Sequence, residues 1–318
     1  MKARILGTGS YLPEHVLTND DMAKLVETSD EWIRERTGIR ERHLTDEGTV
    51  FMAAKAAERA LENSHLTADD LDMIIVATFT PDYLFPNASC QLQAAIGAPN
   101  IPCMDLSAAC SGFIYSINTA AAYIQAGMYQ KILVVAAETL SRVVDWDDRS
   151  TCILFGDGAG AAVLGADETG ILAMDMGSDG VKGPVLYCEG WPITNPVVNK
   201  GAAGKLRMNG QEVYKFAVRR LPKTIQTVLA SGDMKVEDVD HFIFHQANKR
   251  ILEAAAKHLK IPAEKMPMNM DHCGNLSAAS IPVLLDEYNQ AGKIKTGDKV
   301  ILAAFGGGLS WASALLEW

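Results

Sequence analysis

Two stretches of this chain repeat one another, and a duplicated chain has few ways to fold. Gln125-Ala-Gly127 follows Cys110 and leads into Lys131-Ile-Leu-Val-Val-Ala-Ala; Gln290-Ala-Gly292 follows Asn275 at an identical spacing and leads into Lys299-Val-Ile-Leu-Ala-Ala. Ile101-Pro-Cys and Met266-Pro-Met stand at the same offset as Cys110 and Asn275, and Met73-Ile-Ile-Val pairs with His241-Phe-Ile-Phe. Matches in order at a shared spacing point to two homologous halves. Asp167, Glu168 and Gly170 mark a turn, so halves of residues 1–167 and 168–318 are expected. No linker or low-complexity segment separates them, which predicts one shared body. Equivalent positions near a pseudo-twofold axis approach each other, and Cys110 and Asn275 are expected to be such equivalents.

The runs Met73-Ile-Ile-Val-Ala, Ile132-Leu-Val-Val-Ala, Phe242-Ile-Phe and Val300-Ile-Leu-Ala-Ala read as strands alternating with longer Ala-rich helical patterns. Their continuous apolarity predicts strands covered by helices on both faces of an α/β fold. The 318 residues allow about two domains or one large duplicated fold. A net charge of −10 argues against nonspecific nucleic-acid binding. Met1-Lys-Ala-Arg-Ile-Leu-Gly lacks the apolar stretch of a secretory signal, so a cytoplasmic location is expected. Leu106 to Gln130 carries no charge, but Ser107, Ser111, Ser116, Asn118 and Gln125 interrupt it; a helix buried in protein is expected rather than a membrane span. The six cysteines (90, 103, 110, 152, 188, 273) form neither C-x-x-C pairs nor zinc-finger spacing, so free thiols and no metal site are expected.

Cys110 lies among small residues in Asp105-Leu-Ser-Ala-Ala-Cys110-Ser-Gly-Phe, where a helix should open and run to a C-cap at Gly127. A thiol at a helix start is expected to be biased toward thiolate. His245 follows an apolar run directly, where side chains gather around α/β active sites, and Asn275 sits beside Gly274 just before a helix whose Pro282 suits a first turn. Each residue alone has an ordinary structural reading; together they make a candidate Cys/His/Asn site. In Phe305-Gly-Gly-Gly308, one glycine N–H is placed to join that of Cys110 as an oxyanion hole. Gly156-Asp-Gly-Ala-Gly160 has Ala161 where a dinucleotide loop requires its last glycine, and neither a G-x-S-x-G elbow nor a P-loop is present. Lys215, Arg219 and Lys223, and Arg250 with Lys257, form basic stripes that are either solvated faces or a dock for an acidic partner.

From Ile5-Leu-Gly-Thr-Gly-Ser-Tyr-Leu-Pro onward the chain resembles the β-ketoacyl-acyl-carrier-protein synthase III family. The resemblance rests on Asp30-Glu-Trp-Ile-Arg-Glu-Arg-Thr-Gly-Ile-Arg, Ala108-Ala-Cys-Ser-Gly-Phe, Phe155-Gly-Asp-Gly-Ala-Gly-Ala-Ala-Val-Leu, His245-Gln-Ala-Asn, Gly274-Asn-Leu-Ser-Ala-Ala-Ser and Phe305-Gly-Gly-Gly. It implies a thiolase-like duplicated fold whose halves have central mixed sheets packed in αβαβα layers. It implies Cys110 as acyl-accepting nucleophile, His245 and Asn275 as its partners, and backbone N–H groups of Cys110 and Gly307 as the oxyanion hole. It further implies that Trp32 and Arg149 sandwich the adenine of coenzyme A. Arg36 and Thr28 would hold the nucleotide, and Gly210, Tyr214, Asn248 and Phe305 would line the pantetheine tunnel. Leu140 and Phe85 would shape acyl pockets, Phe85 that of the neighbouring subunit in a homodimer. Lys215, Arg250 and Lys257 match carrier-docking positions. Leu276 stands where the family usually has Thr, and Tyr214 where Phe is frequent.

The implied reaction is decarboxylative Claisen condensation of acetyl-CoA or another short acyl-CoA with malonyl-acyl-carrier protein, initiating fatty acid synthesis. No resident cofactor or metal is expected, since coenzyme A enters as a thioester substrate. Asn cannot act as a base at ordinary pH, so decarboxylation rather than deprotonation should generate the carbanion. The alternatives are a starter-condensing synthase of polyketide or alkylquinolone synthesis, an acyl transferase or thioesterase forming no C–C bond, and a catalytically silent acyl-CoA-binding scaffold.

Overall fold

The computed structural model describes residues 1–201 and 204–318. The sheets are built from β1 (Lys2–Tyr11), β2 (Met73–Ala77), β3 (Cys103–Leu106), β4 (Lys131–Glu138), β5 (Gly158–Asp167), β6 (Ile171–Ser178), β7 (His241–Phe244), β8 (Lys299–Gly306) and β9 (Ser310–Glu317). The helices that matter for the site are α1 (Asp30–Thr37), α2 (Thr49–Asn63), α3 (Gly112–Gln125), α4 (Gly210–Ser231), α5 (Lys249–Leu259) and α6 (Ser280–Gln290).

One sheet has the order β1-β5-β4-β2-β3 and the other β6-β9-β8-β7. Both are mixed in the same way. The pairs β2–β4 and β7–β8 are parallel, while β4–β5, β5–β1, β8–β9 and β9–β6 are antiparallel. Register repeats as well: Met73 faces Ile132 and His241 faces Val300, so that one and the same displacement along the chain carries each residue of the first pair onto the second. Among the described residues, the second sheet has no counterpart of β3. The Asn269 N–H in that region donates to the Gln246 side chain (3.2 Å), so the donor is used without a ladder.

Successive residues of a strand point to opposite faces, and here both faces are buried. Ile75, Ala77, Ile243, Leu302 and Ala304 turn inward with Phe113, Ile117, Ile281 and Leu284 of α3 and α6. Their neighbours Ile74, Val76, Leu133 and Val135 turn outward against Ala53, Ala57 and Leu61 of α2. On the other sheet, Phe242, Phe244, Ile301 and Ala303 pack with Phe216 and Ile225 of α4 and Leu252 of α5. The result is five layers, helix–sheet–helix–sheet–helix, with α3 and α6 in the middle.

The uncharged stretch forms α3, with Phe113, Ile114, Ile117, Ala120, Ala121 and Ile124 buried. Gly127, at φ 72°, follows its end. Among the described residues, no helix is long and apolar enough to cross a membrane. The small residues around Gly160 serve close packing: a methyl there would lie 2.7 Å from the Pro282 ring at the start of α6.

Candidate active site

Cys110 stands in a single 3-10 turn, Ala109–Ser111, between β3 and α3. The turn is entered through Ala109 at φ 45°, a conformation L-residues rarely adopt. A matching turn, Ser277–Ala279, opens α6 and is entered through Ser277 at φ 51°. The displacement that relates Met73 to His241 also relates Ala109 to Ser277, and the two turns pack against each other. Cys110 is therefore the counterpart of Ala278, and Asn275 lies just before that counterpart. The expected equivalence of Cys110 and Asn275 is incorrect. Helix α6 has 11 residues against 14 in α3, which brings the glycine beyond it forward and shortens the offset of the downstream match.

The two residues nonetheless meet. A cavity of about 130 Å³ is lined by Cys110, His245 and Asn275, together with Gly210, Tyr214, Asn248 and Phe305. A second cavity, of about 420 Å³, begins on another side of Cys110 and is lined by Leu140, Gly307, Phe79, Leu186 and Leu206. Cys110 thus stands where a narrow passage meets a wider, mostly apolar chamber. The end of β8 presses close: a methyl on Gly306 would lie 2.8 Å from the Cys110 backbone nitrogen.

His245 extends β7 by one bond, its N–H donating to Ala303 (2.9 Å), which fixes where the ring enters the site. It is 2% exposed, lies edge-on to Phe305, and holds Nδ1 2.7 Å from Ser280 Oγ. Ser280 Oγ is also 2.9 Å from the Ser277 carbonyl. Its one proton serves either partner, so the hydroxyl accepts from Nδ1–H or donates to Nδ1, and Nε2 is correspondingly bare or protonated. Asn275 is held by N–H donation to Leu154 (2.8 Å) and by its carbonyl accepting from Gly156 (3.1 Å). Its Oδ1 accepts the Ser277 N–H (2.9 Å), which leaves Nδ2 as the donor available to the cavity. Leu276, in the position where Thr is usual, is buried in the central core and leaves these bonds intact.

Electrostatics act against one expectation. Burial pushes the Cys110 thiol up to about 11, opposed by the Ser277 side chain and reinforced by nearby Glu138. Loss of hydration around the sulfur favours the thiol, a bias opposite in sign to that expected from the helix start. Burial also lowers His245 to about 3, so the imidazole is neutral at physiological pH. Glu138, at the end of β4, is fully buried and raised to about 8 by desolvation. Thr80, Thr78 and Phe79 donate to its Oε2, whereas Oε1 has no partner among the described residues.

Trp32 on α1 has two guanidinium groups over its ring, Arg36 at 4.5 Å and Arg149 at 5.1 Å from the ring centre. Arg149 donates to the Glu27 carbonyl (2.8 Å), and the neighbouring Thr28 hydroxyl is buried without a partner among the described residues. Asn248 caps α5 and donates to the Arg36 carbonyl (3.0 Å), while Arg250 donates to that of Glu35 (3.1 Å); these bonds brace α1 against α5. Lys215, Arg250 and Lys257 are exposed, although Lys215 pairs with Glu212 at 2.8 Å, which tempers its charge. Phe85 is 87% exposed beside exposed Tyr83 and Leu84 and lines neither cavity of its own chain. Ser280 carried no sequence signal, since it reaches His245 from a distant part of the chain. Glu138 did leave one, as an acid closing a strand that is apolar from Ile132 to Ala137.

Comparison with known proteins places the chain in a family. The family described as 3-oxoacyl-[acyl-carrier-protein] synthase III matches residues 104–180, and its C-terminal part matches residues 229–318. The β-ketoacyl-[acyl-carrier-protein] synthase III of Clostridium acetobutylicum is 48% identical over 318 residues, covering 99% of this chain and 98% of that one. The 3-oxoacyl-[acyl-carrier-protein] synthase III of Aquifex aeolicus superposes with a TM-score of 0.94 at 45% identity, covering 99% of this chain and 100% of that one. A priming β-ketosynthase from a polyketide biosynthetic pathway also reaches 0.94, at 34% identity, covering 99% of this chain and 96% of that one. The duplicated five-layer body is thus the thiolase-like fold, and the chain belongs to the β-ketoacyl-[acyl-carrier-protein] synthase III family of condensing acyltransferases that initiate fatty acid synthesis.

Proposed function

We propose that the protein condenses a short acyl-CoA primer with malonyl-acyl-carrier protein, releasing coenzyme A and CO₂ and leaving a β-ketoacyl-carrier. The observation that supports this most is the single cavity shared by a thiol, a neutral imidazole and a carboxamide whose oxygen is already engaged. In acyl transfer, the Cys110 sulfur bonds to the acyl carbon, the carbon–sulfur bond to coenzyme A breaks, and the thiol proton leaves on the coenzyme A sulfur. His245 Nε2 relays that proton when Nδ1–H faces Ser280. Backbone N–H groups of Cys110 and Gly307 are assigned to the tetrahedral oxyanion.

In condensation, the malonyl C–C bond breaks, CO₂ departs, and its electron pair forms an enolate. His245 Nε2–H and Asn275 Nδ2–H donate to the enolate oxygen, the first supported by Ser280 donating to Nδ1. The enolate carbon attacks acyl-Cys110, the acyl carbon–sulfur bond breaks, and the expelled sulfur takes up one proton from solvent. A neutral His245 suits both steps, since the Ser280 hydroxyl accepts from Nδ1–H in one tautomer and donates to Nδ1 in the other; passing between them moves one proton off Nδ1 and one onto Nε2 by exchange with solvent.

Trp32, Arg36, Arg149 and Thr28 are assigned to the coenzyme A nucleotide, and Gly210, Tyr214, Asn248 and Phe305 to the pantetheine arm. Lys215, Arg250 and Lys257 are assigned to the acidic carrier. The wider chamber beside Leu140 takes the acyl group, and Phe85 completes it from a second protomer. The functional units are residues 1–167, supplying Cys110, and 168–318, supplying His245 and Asn275. The likeness to a polyketide-priming synthase supports a second reading, in which the same site loads a specialised starter. Incubation with a panel of acyl-CoA primers and malonyl-carrier, reading CO₂ and β-ketoacyl-carrier, separates them. A short primer is expected to give the highest kcat/KM; condensation only with a specialised starter would favour the second reading, and absence of condensation with every primer would reject both.

A further inference from the structure

Where the short helix Met270–Cys273 that precedes Asn275 meets α6, three dissimilar donor atoms converge. His272 Nε2 lies 3.1 Å from Glu287 Oε1, Cys273 Sγ lies 3.8 Å from the same oxygen, and all three donors fall within 4.8 Å of one another. Tetrahedral zinc with bonds of about 2.0–2.3 Å has donor–donor edges of roughly 3.3–3.7 Å, so small side-chain shifts bring this set to coordination distance. Imidazole, thiolate and carboxylate together suit a borderline-soft cation and would be a poor set for calcium or magnesium.

The surroundings hold these ligands in the manner of a metal site. Asp271 Oδ1 lies 3.2 Å from His272 Nδ1, leaving Nε2 to face Glu287, and carboxylate–histidine pairs of this kind orient metal-binding imidazoles. Asn269 Nδ2 donates to Glu287 Oε2 (2.9 Å) and so fixes the other ligand's carboxylate. Cys273 is 1% exposed, whereas the side chains of His272 and Glu287 retain 44% and 32% of their exposure, which gives a cation access and leaves room for water as fourth ligand. The sequence signal differs from a zinc finger: an adjacent His-Cys pair, with its acid supplied from the second half of the following helix.

We propose that His272, Cys273 and Glu287 bind a zinc-class transition-metal ion, which clamps the short helix preceding Asn275 to helix α6. Cys273 is separated from Asn275 only by Gly274, and α6 begins with Ser280, which contacts His245; the clamp therefore joins the supports of two active-site side chains. Coordination expels the Cys273 thiol proton and any proton on His272 to solvent.

The test uses the full-length Cys110→Ser protein, so that the cavity thiol cannot contribute. Cobalt(II) chloride titration should give one bound equivalent with a thiolate-to-cobalt charge-transfer band. The band should vanish in Cys110→Ser/Cys273→Ser, and affinity should fall at least tenfold in Cys110→Ser/Asp271→Asn. Because Cys273 is buried, Cys110→Ser/His272→Ala provides a variant at a more exposed position: zinc(II) chloride should raise the melting temperature of Cys110→Ser and leave that of the His272 variant unchanged. Saturation without a charge-transfer band, or an unchanged band and zinc-dependent melting shift in the Cys273 and His272 variants, would overturn the proposal.

Discussion

Replacing Asn275 with Ala removes two hydrogen-bonding functions that can be measured separately. Oδ1 accepts the Ser277 N–H at 2.9 Å, and Ser277 is 1% exposed, so the variant leaves a buried donor without its acceptor. That defect costs about 1–3 kcal/mol of folding stability. Nδ2 is one of two donors assigned to the enolate oxygen, and losing one such donor costs about 2.7–4 kcal/mol, or 10²–10³-fold in rate. Acyl transfer to Cys110 depends on the sulfur and the backbone donors, and is expected to change less than about tenfold. Single-turnover acylation followed by intact mass measures the first step, and CO₂ release from malonyl-carrier measures the second. Asn275→Asp keeps an acceptor for the Ser277 N–H and should recover much of the stability without recovering decarboxylation. Equal loss of acylation and decarboxylation in Asn275→Ala would refute this division of labour.

Ser280→Ala removes the group facing His245 Nδ1 and should slow decarboxylation about five- to tenfold, the equivalent of roughly one neutral hydrogen bond; pre-steady-state CO₂ release checks this, and an unchanged rate would remove Ser280 from the tautomer assignment. Glu138→Gln tests the buried carboxyl. With Glu138 raised to about 8 in the folded protein, the unfolded chain ionises first as pH rises, so native stability from this group is present below about 4.5 and is lost through pH 8. The Gln variant lacks this loss, and its stability relative to the parent should grow between pH 5 and 8 in urea unfolding curves; a constant difference would contradict the assignment.

The sequence was most legible where many residues repeat one physical rule. Continuous apolar runs identified strands covered on both faces, and the repeated halves reappear as sheets with the same pairing and a common register. The spacing from Cys110 to Asn275 misled locally because the glycines beyond α3 and α6 mark helix ends, and α6 is shorter; counting from a helix end shifted Cys110 onto Asn275. The nature of the Cys110 sulfur was also hidden, since a helix start can be read from sequence whereas the depth of burial depends on both halves closing around it. Ser280 and the His272–Cys273–Glu287 grouping depend on α6 lying across segments from elsewhere in the chain, a juxtaposition that no local motif records.

Covalent capture of the primer tests the central claim most directly. After incubation with an acyl-CoA, intact-mass and peptide analysis should show one acyl group on Cys110, absent from Cys110→Ser, and malonyl-carrier should discharge it with stoichiometric CO₂ and β-ketoacyl-carrier. An adduct on another residue, or free acid released steadily from acyl-Cys110 without any C–C bond formed, would contradict the account.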